Sequence, residues 1–124
     1  MSTISTHVLD IAAGRPAQGV SVRLEHVAPA GPQEIARATT DPAGRITSLG
    51  PERIMPGTYR LVFDTGGYQA RQSQQGSTDD DAATTPAVPF FPEVTVTFTV
   101  AGDREHYHVP LLMSPFGYST YRGS

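Results

Sequence analysis

Apolar and polar side chains alternate along much of this chain. In "VSVRLEHV" (20–27), Val20, Val22 and Leu24 fall on one side of an extended backbone and Ser21, Arg23 and Glu25 on the other. "YRLVFD" (59–64) repeats the pattern with Tyr59, Leu61 and Phe63, and "VTVTFTV" (94–100) sets Val94, Val96, Phe98 and Val100 against threonines. Weaker versions run through "ISTHVLD" (4–10), "EIARATT" (34–40) and "HYHVPLLM" (106–113). A period of two is that of a strand with one buried and one wetted face, the usual pattern of antiparallel sheets. Between the runs lie "AAGRPAQG", "DPAGR" and "MPGTY", all rich in turn formers. Short strands at such intervals predict an all-β sandwich or barrel. Only "GYQARQSQQ" (67–75) suits a short helix.

One stretch breaks the rhythm. "RQSQQGSTDDDAATTPAVP" (71–89) is polar, acidic at Asp79–Asp81 and poor in large apolar groups, so it reads as a loop insertion. The whole of 1–124 otherwise reads as a single domain, a length that buries a sizeable core without a staple. There is no cysteine, which fits a reducing compartment. A formal charge of −3 with no basic run argues against nucleic acid and anionic membranes as partners. His7, Asp10 and Arg15 interrupt the first twenty residues, so no export signal is expected there, and no apolar run is long enough to span a bilayer. The expected location is cytoplasmic.

The chemistry gathers near the end of the chain. His106 and His108 lie two residues apart in a strand, about 6.6 Å along its axis, and so share a face. Tyr107, Val109 and Leu111 then point the other way, into the core. Two imidazoles on one face make an acid–base pair or half a metal site, although solvated surface histidines share this spacing. A metal would need a third ligand; His7 and Asp10 are available, but no recognised spacing joins them. His7 shares its face with Ser5 and Leu9, and a lone strand histidine is more often an ordinary hydrogen-bonded residue. Arg45 closes the turn "TDPAGR" (40–45), either as a surface arginine or as a guanidinium held for a planar anion or amide.

Taken together, "THVLDIAAGRPAQGV", "TDPAGR", "PGTYRLVFDTGGY", "FFPEV" and "EHYHVPLLMSPFGYSTYRGS" resemble, in order and over nearly the whole chain, the transthyretin-related family. The terminal "YRGS" points to the branch that hydrolyses 5-hydroxyisourate. That resemblance implies a transthyretin-like (prealbumin-like) eight-stranded antiparallel sandwich with one short helix. It implies a homotetramer built as a dimer of dimers, with active sites in the channel where dimers meet. Leu112, Met113 and Phe116 would give apolar surface nearby.

The same resemblance assigns residues. The catalytic histidines fall on His7 and His108 and the essential arginine on Arg45; His7 and Arg45 would also bind substrate, together with Tyr121 and Ser124. His106, Arg122 and Gly123 take supporting places. The implied reaction opens the ring of 5-hydroxyisourate to 2-oxo-4-hydroxy-4-carboxy-5-ureidoimidazoline in urate degradation. It uses histidine-activated water and needs no metal or organic cofactor. The alternative within the family is a small-ligand carrier of the transthyretin type. Carriers resemble one another in having other residues where this chain keeps its two histidines, so hydrolysis is the expectation.

Overall fold

The alternating stretches form strands, and these collect into two sheets. The computed structural model of the chain describes residues 3–75 and 88–123; the acidic stretch of the insertion and Ser124 lie outside them. One sheet has the order β4(Gly31–Thr39)-β3(Ser21–Ala28)-β6(Gly57–Phe63)-β7(Val94–Val100), antiparallel throughout. The other forms around β1(Thr3–Asp10). It runs β10(Gly117–Thr120)-β9(Leu111–Ser114)-β1-β2(Arg15–Pro16), with β5(Arg45–Ile46) and β8(His106–His108) also paired to β1. Among the described residues, eight strands make the sandwich apart from the two-residue β2 and β5.

The expected antiparallel order has an exception at β1, which runs parallel to both β8 and β9. Parallel neighbours need a long crossover, and here the entire second sheet intervenes in the chain. β8 and β9 are one line of chain broken at Pro110, whose ring leaves no N–H for the ladder. The break is satisfied by other groups. Val109 N donates to Ser5 O at 3.0 Å, Thr6 Oγ1 to Val109 O at 2.6 Å, and Thr120 Oγ1 to Pro110 O at 2.7 Å.

The core lies between the sheets, where Val22, Leu24, Leu61 and Phe63 meet Ile4, Val8, Tyr107 and Leu111, all buried. Val96 and Phe98 on the edge strand β7 are only partly covered. The expectation of apolar surface from Leu112, Met113 and Phe116 holds in part. Phe116 is exposed and Leu112 half-buried, but Met113 faces the core, since it sits one pleat away from Leu112.

The helix α1(Thr65–Gln75) starts earlier than the pattern indicates and takes Arg71–Gln75 from the anticipated loop. Its start is set by Asp64, whose Oδ1 accepts from Gly67 N at 3.0 Å as an N-cap. Its inner face is pinned by Tyr68, a buried phenol that donates to Asp10 Oδ2 at 2.8 Å. Burial and then that carboxylate push the Tyr68 pKa up to about 12. What remains of the insertion, 76–87, lies outside the described residues.

β5 owes its place to the turn before it. Asp41 Oδ1 accepts from Ala43 N and Arg45 N at 2.9 Å each, and Gly44 N donates to Asp41 O at 2.8 Å. This is an Asx-type turn, with Pro42 stiffening it. Gly44 has φ of +76°, and a Cβ there would meet Val8 O at 2.4 Å. Gly44→Ala should therefore cost about 2 kcal/mol or more of stability, measured by denaturant unfolding, from the forced φ and the clash together.

Candidate active site

The register of β1 decides which side chains meet. Thr3 lies opposite His106 and Ser5 opposite His108 across β8, while His7 lies opposite Arg45 across β5. Residues 3, 5 and 7 share one face of β1. A ribbon of three strands therefore carries both histidines of "HYH", His7 and Arg45 on one side. These four line a cleft of about 300 Å³, with Ser5, Thr6, Ile46 and Thr47 completing its wall.

His7 and His108 are each held by one ring nitrogen and His106 by both. His7 Nε2 lies 2.9 Å from Ala43 O. A carbonyl only accepts, so neutral His7 carries its hydrogen on Nε2 and leaves Nδ1 as the free basic atom. His108 Nδ1 lies 2.7 Å from Ser5 Oγ, which also lies 2.7 Å from His106 Nε2. His106 Nδ1 in turn meets Thr3 Oγ1 at 2.6 Å. The pair His106 and His108 thus turns toward a shared hydroxyl rather than toward a common metal position. Among the described residues, no three His, Asp or Glu groups gather as a metal cluster. Asp10 is taken up at the far end of β1 by Tyr68 and by Ala13 N at 2.9 Å.

His108 is half-buried, and burial lowers its pKa below the ordinary 6.5; the nearby positive charges of His106, His7 and Arg45 lower it further. At neutral pH it is an uncharged base. Arg45, by contrast, is exposed, its backbone fixed by Asp41 and its guanidinium facing the same cleft. A base, a second imidazole and a fixed cation around a cleft of this size suit attack by water on a small planar amide.

The C-terminal residues divide. Gly123 N donates to His108 O at 2.8 Å, closing an isolated bridge that brings the tail against the histidine. A Cβ at Gly123 would meet His108 Cδ2 at 2.5 Å, so only glycine lets the chain pass over the imidazole. Tyr121 and Arg122 line a neighbouring apolar cleft instead, with Phe98 and Tyr107. Ser124 lies outside the described residues. Sequence reasoning overlooked Thr3, Thr47 and Asp41 as parts of the site and gave Ser5 no role. Thr3 and Ser5 were accessible through the same alternation as His7; nothing local to the sequence shows that β8 pairs with them.

The chain is similar to known proteins over nearly its whole length. The model of the "HIUase/Transthyretin family" matches residues 4–123. A relative from Salmonella typhimurium, named 5-hydroxyisourate hydrolase, is 44% identical over 98% of this chain and 80% of its own. The solved structure of Klebsiella pneumoniae 5-hydroxyisourate hydrolase superposes with a TM-score of 0.78 at 33% identity, covering 100% of both chains. Sea bream transthyretin in complex with thyroxine superposes with a TM-score of 0.79 at 31% identity, over 98% of this chain and 94% of its own.

The lowered pKa of His108 has a measurable consequence. The unfolded chain, with an ordinary histidine near 6.5, takes up the proton first as pH falls. This contribution to stability is complete above that value and is lost on the way down to the folded midpoint. Histidine NMR should place the His108 midpoint below 6.5. His108→Asn should flatten the acid side of a stability–pH curve from denaturant unfolding.

Proposed function

Because the chain belongs to the HIUase/transthyretin family, we propose that it hydrolyses 5-hydroxyisourate in urate degradation, with His7, Arg45 and His108 carrying the reaction. The observation that carries this reading is the convergence of two imidazoles and a guanidinium on one cleft, each held through its own backbone or ring nitrogen. A carrier needs complementary shape; it does not need a poised base.

His108 takes a proton from water through Nε2, and the oxygen of that water attacks the cyclic amide-type carbonyl. Arg45 faces the oxyanion that develops there and holds the planar ring. His7, entering the step protonated at Nδ1, gives that proton to the departing nitrogen as the C–N bond breaks. With Nε2–H fixed on Ala43 O, its imidazole ring is aimed before the substrate arrives. No cysteine is present to act as a nucleophile, so direct attack by water is the simplest course.

The same reading includes a homotetramer in the cytoplasm. β7 and β10 are edge strands, and Phe90, Phe116 and Tyr118 stay exposed around β10; Phe91 meets Phe90 and Tyr118 edge-on, and Phe116 lies tilted against Phe90. An unpaired edge beside exposed aromatics favours a second copy of the chain. Tyr121 and Ser124 belong to this proposal as substrate-binding groups supplied where copies meet. Among the described residues, no helix is long and apolar enough to cross a membrane.

The test is the ultraviolet decay of freshly generated 5-hydroxyisourate. The protein should accelerate it, and His7→Ala, Arg45→Ala and His108→Ala should each slow turnover by about 10²-fold or more. His26→Ala, on the second sheet against Tyr59, should leave the rate unchanged. Deleting Tyr121–Ser124 should remove activity with little change in melting temperature. Sedimentation should give a tetramer; a fully active monomer would overturn the assembly.

A further inference from the structure

Ser5 and His106 have no part in the mechanism above, yet their placement is specific. Ser5 is buried, and its single hydroxyl lies between two imidazole nitrogens, 2.7 Å from each. A hydroxyl owns one hydrogen, so it cannot donate to both rings. Two arrangements of neutral rings use that hydrogen between them. In one, His106 Nε2–H donates to Ser5 and Ser5 donates to His108 Nδ1, so His108 presents Nε2–H to the cleft. In the other, His108 Nδ1–H donates to Ser5 and Ser5 donates to His106 Nε2, so His108 presents a bare, basic Nε2. The first is inert toward water and the second is the base.

We propose that Ser5 and His106 are positioning residues forming a proton relay that sets His108 as the Nε2 base and carries the abstracted proton out to solvent. This rests on the hydrolase reading. In the starting arrangement His106 holds its hydrogen on Nδ1, against Thr3 Oγ1 at 2.6 Å. When His108 Nε2 takes a proton from water, its Nδ1–H passes to Ser5 Oγ as the Ser5 proton passes to His106 Nε2. His108 is neutral again with hydrogen on Nε2, and the positive charge has moved to His106. Only N–H and O–H bonds change, and one proton has crossed the relay. His106 then releases its Nδ1 proton to water beside Thr3; once product has left, a proton taken back at that Nδ1 drives the two hydrogens in reverse while His108 gives its Nε2–H to water, which restores the base.

The direction of transfer follows from exposure. His106 stands in solvent, whereas His108 is half-buried and shares its cleft with the Arg45 guanidinium. A charge is therefore better solvated one ring further out. The chain of contacts is also short and complete, with no gap for water to fill. A merely structural serine would need only one of the two bonds.

Ser5→Ala and His106→Gln test the relay; the second changes an exposed side chain, so it folds even if the first does not. Each should lower kcat on the order of tenfold while leaving KM within about twofold, and should shift the acid limb of the pH–rate profile. The proton inventory in mixed H₂O and D₂O should be curved for the parent and linear for both variants. Unchanged kcat and profile in both would overturn the relay, as would a loss expressed only in KM. Independently of activity, ¹⁵N-histidine NMR should show the His108 tautomer responding to titration of His106 in the parent and not in Ser5→Ala. A parent that turns over substrate but lacks this response sinks the relay alone. A parent that shows the response without turnover sinks the hydrolase reading and leaves the hydrogen-bond relay standing.

Discussion

β1 is held between β5 and β8, and its register against both is the constraint on which the site depends. Ile4, Thr6 and Val8 face the core while Thr3, Ser5 and His7 face the cleft side. A slip of one residue would exchange the two sets, driving His7 inward and Ile4 and Val8 out. Burial of two aliphatic side chains opposes that slip, and so does the cost of an unpaired buried imidazole. Thr6 can sit inside only because its hydroxyl finds Val109 O where Pro110 breaks the ladder. The packing that stabilises the sheet is thus also what aims the histidines.

Period-two alternation made β3, β6 and β7 legible because each carries an apolar face that pays for nothing but its own burial. The same rule placed Tyr107, Val109 and Leu111 inward and His106 and His108 together on the opposite face. Alternation carries no information about partners. Pairing of β1 with β8 joins residues about a hundred positions apart and is settled by core packing, so the parallel ribbon and the role of Ser5 stayed hidden. The helix start was missed for a local reason: Asp64 acts as a cap only because the chain turns away from β6 there. Arg45 and His7 were weak as isolated residues and became candidates through the resemblance of the motifs around them.

A fold shared with a thyroxine-bound transthyretin does not by itself separate a carrier from a hydrolase. In the proposed reading, the difference lies in what the scaffold presents along one face of β1 and in the turn beside it. Neither histidine that faces the cleft from β8 contributes to the core, and Arg45 is exposed. The framework therefore does not depend on these side chains for its packing. Gly123 adds a second condition, since any side chain there would collide with the His108 ring.

Asp41 holds the backbone of the 41–45 turn through one carboxylate oxygen, and β5 that follows is only two residues long. The guanidinium is consequently mounted on a turn whose own hydrogen bonds close within five residues and which is seated on β1 at Gly44. Altering Pro42 or Ala43 would move the cation relative to the imidazoles while leaving the sandwich untouched. A lineage, or an engineer, can in this way retune the reach and shape preference of the pocket through the exposed residues of a surface turn, provided that Gly44 is kept.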